Sequence, residues 1–458
     1  MQETVLNQIV RDKARWVAER SQQQPLSGFQ SQITASERDF YQALQGDKTA
    51  FILECKKASP SKGLIRENFD PSEIAGVYRE FASVISVLTD EHYFQGSFDF
   101  LPLVSQAAPQ PVLCKDFIIS DYQIYLARYY QADAVLLMLS VLDDQQYQQL
   151  AALAHSLNMG VLTEVISEQE LQRALALNAR VIGINNRDLR DLSIDLNRTR
   201  LLAPKIPAGI TIISESGIHS YRQIRELSHY ANGFLIGSAL MAEKQLRSAV
   251  CRVLLGANKV CGLTRPQDAV AAYRAGALYG GLIFVPTSPR CVDIATARAV
   301  IAAAPLHYIG VFRDATIESV VNSAEQLGLH GVQLHGDEDQ IYINKLRSRL
   351  PASCQIWRAL RVEQTLPTGD FQQVDRYLFD HGNGGSGISF DWSLLRQPQL
   401  PALRLDNVML AGGLNADNCA EAATLGCAGL DFNSGVESQP GIKDRERLAR
   451  VFQQLRAY

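Results

Sequence analysis

Long apolar runs are absent from this chain. Stretches such as AVLLML at residues 134–139 stop far short of the roughly 20 apolar residues that a membrane-spanning helix needs, so no membrane partner is expected. Positive charge is not in excess either. The 44 lysines and arginines stand against 48 aspartates and glutamates, a formal net charge of −4 that gives nucleic acid no electrostatic footprint. The eight cysteines include no C-x-x-C pair, and the eight histidines form no H-x-x-x-H or H-E-x-x-H group. Zinc sites depend on such spacings, and several cysteines sit inside apolar runs, as buried thiols do; reduced thiols and no metal are expected. No Pro/Gly/Ser-rich linker divides the 458 residues. The N-terminus, MQETVLNQIVRDKARWVAER, mixes acids and bases on an amphipathic pattern that sets Val5, Ile9 and Trp16 toward one face. It has neither the apolar core of a secretion signal nor the acid-poor composition of a transit peptide, and a cytoplasmic location follows as the expectation.

What the chain does have is regular alternation. Its length exceeds what one ordinary core organises, so two domains are expected. After a helix over residues 4–20, short apolar runs recur as FILEC at 51, SVISVL at 83, PVLCK at 111, AVLLML at 134, GVLTEV at 160, VIGINN at 181, ITIISE at 210 and GFLIG at 233. Helical periodicity lies between them, at 72–81, 122–130, 146–157, 168–176 and 220–227. The pattern then restarts: KVCG at 259, GLIFV at 281, HYIGVF at 307, GVQLH at 331, IWRAL at 356, YLFD at 377, VMLAG at 408 and GLDF at 429. Helices are expected at 267–275, 294–303, 317–327, 338–349, 416–423 and 444–455, with short or irregular segments after the fifth and sixth strands. Strand–helix alternation implies parallel pairing, and eight units imply a closed barrel. The fold class is therefore α/β, two (β/α)8 TIM barrels in tandem over 1–255 and 256–458, the first with an extra N-terminal helical segment. A doubly wound open sheet is the alternative.

Active sites of such barrels form where strands end. FILECKKASPSKG leaves Glu54 and Lys56 at the end of the first strand; Lys115 ends the third, Glu164 the fifth, Asn185 and Arg187 the sixth and Glu215 the seventh. Singly, each reads as a rim salt bridge. Together, lysines, glutamates and an arginine at one mouth suit acid–base work on an anion. Glycine turns after strands seven and eight of both halves (SESGI, IGSA, AGGL and DFNSG) suit phosphate. In the second half Cys261, Arg290, His335 and Asp380 stand at strand ends, and a cysteine with an aspartate fits either a base–acid pair or a nucleophile.

The motifs ECKKASPSKG, LCKDF, LTEV, GINNRDL, SESGI and LIGSAL resemble indole-3-glycerol-phosphate synthase. KVCGLTR, FVPTSPR, VQLHG, LFD followed by GGSGISFDW, AGGL and DFNSGVE resemble phosphoribosylanthranilate isomerase. In sequence they resemble the fused bifunctional type of tryptophan biosynthesis. The resemblance implies phosphorylated anthranilate substrates, no cofactor and a monomer. It implies that Asp380 opens the sugar as acid, that Cys261 is the base, and that Arg290 meets the anthranilate carboxylate. In the first barrel it implies Lys115 as general acid and Glu164 as general base. Glu54, Lys56, Asn185, Arg187, Glu215 and Ser216 surround them, Phe117 packs on the aromatic ring, and Ser59, Gly217, Gly237 and Ser238 contact phosphate. In the second barrel His335, Gly385, Gly412, Gly413, Ser434 and Gly435 complete the substrate contacts. Asn433 stands where the family often has serine. A Schiff-base aldolase using Lys115 or Lys56, and a sugar-phosphate sensor without catalysis, are the competing readings.

Overall fold

The computed structural model describes residues 4–46, 48–367, 371–381, 389–396 and 404–458. The chain divides into two compact units, residues 1–219 with 223–250 and residues 220–222 with 251–458. In the first unit, β1 (Ala50–Cys55), β2 (Val84–Leu88), β3 (Val112–Lys115), β4 (Ala134–Met138), β5 (Gly160–Val165), β6 (Val181–Asn185), β7 (Thr211–Glu215) and β8 (Gly233–Ile236) form a closed parallel barrel. Closure comes from β1, which pairs with both β2 and β8. The strands are mostly apolar up to their C-terminal ends because they are covered on both faces, by helices outside and by one another's side chains within. Ile52, Leu113, Leu136, Leu162, Ile213 and Leu235 share one core cluster, each from a different strand.

Register brings the polar strand ends to one rim. Leu88 stands opposite Lys115, Met138 opposite Glu164, and Asn185 opposite Glu215. The helix α1 (Val5–Gln23) starts at Thr4, whose hydroxyl accepts from Asn7 N. Its buried residues are Leu6, Ile9 and Lys13. The lysine lies on the stripe that also holds Ile9, and its Nζ sits 2.7 Å from both Asp90 and Asp116. Asp90 accepts from Tyr93 N, while Asp116 accepts from Thr89 Oγ1 and Phe117 N. One buried cation thus fastens the N-terminal helix to the loops that leave β2 and β3.

The second unit repeats the plan. β9 (Lys259–Val260), β10 (Tyr279–Ile283), β11 (His307–Phe312), β12 (Gly331–Leu334), β13 (Gln355–Val362), β14 (Arg376–His381), β15 (Val408–Leu410) and β16 (Gly429–Phe432) close in that order. Here β10 begins two residues before the run expected at 281, because Tyr279 and Gly280 belong to the strand rather than to a turn. A Cβ on Gly281 would lie 2.6 Å from Cys261 Sγ, so the barrel admits only hydrogen there. The helix Phe100–Ala107 was not expected; Pro102 disguises it, yet proline in a first turn forfeits no intrahelical bond. After β13 and β14 the described residues hold no α-helix before β15, only 3-10 turns such as Trp392–Arg396.

Replacing Lys13 by methionine leaves two buried aspartates without their cation, a loss expected to cost roughly 3–5 kcal/mol. Urea denaturation of the full chain measures it, and a midpoint equal to that of the unaltered protein would refute the fastening role.

Candidate active sites

The mouth of the first barrel is a cavity of about 910 Å³ that includes its open entrance. Glu54, Lys56, Ser59, Lys115, Phe117, Glu164, Asn185, Arg187, Ser216, Gly217, Gly237 and Ser238, all expected from the sequence, line it together. Lys115 Nζ stands 3.5 Å from Glu164 Oε2 and 3.3 Å from Glu215 Oε2, and Lys56 Nζ is 2.5 Å from Glu54 Oε1. The three carboxylates are buried, each 1% exposed. Three acids therefore share two lysines in a site largely removed from water. Burial pushes Glu215 up to about 8 against the pull of Lys115, and Glu164 and Glu54 push the same way. For Lys115 burial works downward but is outweighed by Glu215, Glu164 and Glu54, so it is held above the ordinary lysine range. Glu215 fits only because β6 carries glycine beside it: a Cβ on Gly183 would fall 1.9 Å from Glu215 Oε1.

The loops after β6 and β7 are braced by Asn186, fully buried and not among the expected site residues. Its amide donates to Ser214 Oγ, Glu215 O and Ser216 O, and its oxygen accepts from Thr199 Oγ1. Asn185 Oδ1 accepts from Arg187 N at 3.0 Å, and Arg187 Nη1 donates to Leu192 O at 3.0 Å. Ser216 and Gly217 take left-handed backbone in succession, at φ +64° and +79°. The second barrel has the same device after its seventh strand, with Gly412 at +92° and Gly413 at +60°. Backbone of this kind leaves the turn open for N–H groups to approach an anion closely.

In the second barrel Cys261, Arg290, His335, Asp380, Gly412, Gly413, Ser434 and Gly435 line a cavity of about 1120 Å³ with its opening. Gly385 lies outside the described residues. Burial pushes the Cys261 thiol up, while Lys259 pulls it down. Asp380 Oδ1 accepts from His381 N at 2.8 Å, and Asp380 Oδ2 is 3.6 Å from His335 Nε2. Burial lowers His335 to about 4, so that contact joins a neutral ring to the carboxyl. Arg290 is already engaged: its Nε and Nη2 grip Glu437 at 2.7–3.1 Å. Glu437 also holds Lys443 at 2.7 Å, and Lys443 Nζ donates to Asn433 Oδ1 at 3.1 Å. That bond is what the asparagine contributes in place of serine. Sequence reasoning missed Glu437, Lys443 and Asp431; the signal for the first was the glutamate closing the motif DFNSGVE. Among the described residues no group of three or more His, Cys, Asp or Glu is placed to hold a metal, and no helix is long and apolar enough to cross a membrane.

Residues 6–253 match the family model described as indole-3-glycerol phosphate synthase, and residues 258–454 the model described as N-(5'phosphoribosyl)anthranilate (PRA) isomerase. The chain is 70% identical over 455 residues to a tryptophan biosynthesis protein TrpCF of Yersinia pestis, covering 99% of this chain and 95% of that relative. It is 68% identical over 457 residues to the TrpCF of Salmonella typhi, covering 100% of both. To the TrpCF of Vibrio cholerae serotype O1 it is 59% identical over 458 residues, covering 99% and 96%.

Because the folded-state value of Glu215 is raised to about 8, the folded protein holds a proton there that the unfolded chain has already released. The stability this gives is full below the unfolded carboxylate value and lost as pH rises through 8. The unaltered chain is therefore expected to lose urea stability relative to Glu215→Gln between pH ~4.5 and ~8. Parallel pH dependences in the two proteins would refute the raised value.

Proposed function

We propose, for a chain that belongs to the indole-3-glycerol phosphate synthase family over residues 6–253 and to the phosphoribosylanthranilate isomerase family over residues 258–454, that each barrel mouth performs its reaction with the residues described above. The chain is a bifunctional enzyme of tryptophan biosynthesis. Its C-terminal barrel rearranges N-(5-phosphoribosyl)anthranilate to 1-(2-carboxyphenylamino)-1-deoxyribulose 5-phosphate. Its N-terminal barrel converts that ketose to indole-3-glycerol phosphate with loss of carbon dioxide and water.

In the isomerase, Asp380 donates a proton to the ring oxygen as the C1–O bond breaks, and the anilino nitrogen supplies the electron pair of the resulting iminium. Cys261, as thiolate, takes the C2 proton; the C–H electrons form the C1–C2 double bond, and tautomerisation gives the ketone. Glu437 fixes the plane of Arg290 from one side, leaving the Nη1 end for the anthranilate carboxylate. In the synthase, the ring carbon bearing the carboxylate attacks the ketone while Lys115 protonates its oxygen. Departure of carbon dioxide returns electrons to the ring; Glu164 then takes a proton from the carbon next to the nitrogen as the new hydroxyl, receiving a proton from Glu215, leaves as water. Phe117 packs on the substrate ring. Ser59 and the N–H groups of Ser216, Gly217, Gly237 and Ser238 receive the phosphate.

The observation that carries the reading is Lys115 held protonated between two buried glutamates. A general acid needs that state, whereas an imine-forming lysine needs its proton removed, which disfavours the aldolase reading. The proposal includes a monomer working in the cytoplasm, with residues 1–255 and 256–458 as independent domains, since each mouth draws its lining from one barrel.

Cys261→Ala is expected to lose isomerase rate by roughly 10²–10⁴-fold and to leave ring closure of added ketose unchanged; Lys115→Ala is expected to do the reverse. Steady-state assays of each step decide it. Loss of ring closure in a folded Cys261→Ala protein would overturn the assignment of one reaction to each barrel.

A further inference from the structure

A buried cation that the reaction as written never uses lies directly beneath the proposed base. Lys259 is 0% exposed, yet its Nζ sits 2.8 Å from Asp431 Oδ2 and 3.0 Å from Gln333 Oε1. It stands opposite Asp431 in the pairing of β9 with β16, two residues before Cys261, which follows that strand, and its charge acts on the Cys261 thiol. Gly281 on β10 leaves room for both side chains, since a Cβ there would lie 2.6 Å from Cys261 Sγ and 3.0 Å from Lys259 Cε.

The contacts also impose a direction. An ammonium group can only donate, so Gln333 must present its oxygen to Lys259 and its NH2 to the other side. On that side Gln333 Nε2 is 3.0 Å from His335 Nδ1. His335 Nδ1 is therefore the acceptor, and its ring proton sits on Nε2, the atom 3.6 Å from Asp380 Oδ2.

We propose that Lys259 is the positioning residue of the isomerase mouth, holding Cys261 in reach of its thiolate form and, through Gln333, aiming the Nε2–H of His335 at Asp380. The inference rests on Cys261 being the base. Thiolate formation in this pocket is opposed by burial and by Asp431 and helped by Lys259 and Lys443, with Arg290 also in electrostatic reach. Arg313, His335 and Asp380 face the same cavity. Of these groups Lys259 is the cation two residues from Cys261, 0% exposed, with its Cε and the Cys261 sulfur both against Gly281. The anion formed when the thiol ionises is thus matched by a charge already in place, which pairs with Asp431 when the thiol is neutral.

The test is the pH dependence of two readouts in the full chain: isomerase kcat/KM, and the rate at which iodoacetamide alkylates Cys261, with Cys261→Ala as the blank. In Lys259→Met the ascending limb of both is expected to move up by about 1–3 pH units, the range by which an adjacent charge shifts a titration, while ring closure by the other barrel is unchanged. Asp431→Asn keeps the cation and removes its competitor, so its alkylation limb is expected to move down. Opposite shifts from the two variants would not follow from loosened packing, and Asp431→Asn decides the matter if Lys259→Met does not fold. Limbs that stay in place, or that move the same way in both variants, overturn the inference. Isomerase activity surviving in Cys261→Ala would instead overturn the reading on which it rests.

Discussion

Charge buried at the ends of barrel strands, and only partly matched, is the constraint on which both halves of this molecule turn. Ionised groups are expensive to remove from water unless paired. The first barrel nevertheless places Glu54, Glu164 and Glu215 at 1% exposure with Lys56 and Lys115 between them. The surplus of acid keeps Lys115 protonated, while burial, aided by Glu164 and Glu54, raises Glu215 into the range where it exchanges a proton near neutrality. A protonated lysine and a glutamic acid thus coexist in one mouth, each in the state its environment dictates. The second barrel solves a related problem with a thiol, which burial alone would keep neutral.

The fold makes such placements repeatable. A parallel barrel delivers eight strand ends to one rim, and pairing register decides which residues share a level, as Asn185 with Glu215 or Lys259 with Asp431. Small residues then make the crowding feasible: Gly183 makes space for the Glu215 carboxylate and Gly281 for Cys261 and Lys259. Both barrels bend the chain after the seventh strand through two successive left-handed residues, and both brace the bend with asparagine, Asn186 in one and Asn418 in the other.

Much of this was legible in the residues. The strands of the first barrel announce themselves as apolar runs ending in charge, and the expected site residues of that barrel meet at one mouth. In the second barrel the eight strands were countable, yet β10 begins two residues earlier than expected, at Tyr279, because Gly280 interrupts the apolar run. What stayed hidden was buried polarity. Lys13 and Lys259 are lysines, which are almost never fully buried unless paired, and their partners lie far along the chain. Arg290 and Glu437 likewise meet across 147 residues of chain. Periodicity reports which face a residue occupies, whereas long-range ion pairs carry no such local mark.

The central claim is that each mouth is complete in itself, so that the intermediate made by one barrel is competent substrate for the other whichever chain supplies it. The most direct measurement mixes purified Cys261→Ala and Lys115→Ala chains with phosphoribosylanthranilate and follows indole-3-glycerol phosphate. The account predicts that the mixture forms it although neither variant does so alone at comparable rate. A mixture no more active than its separate components, with both proteins folded, would contradict it.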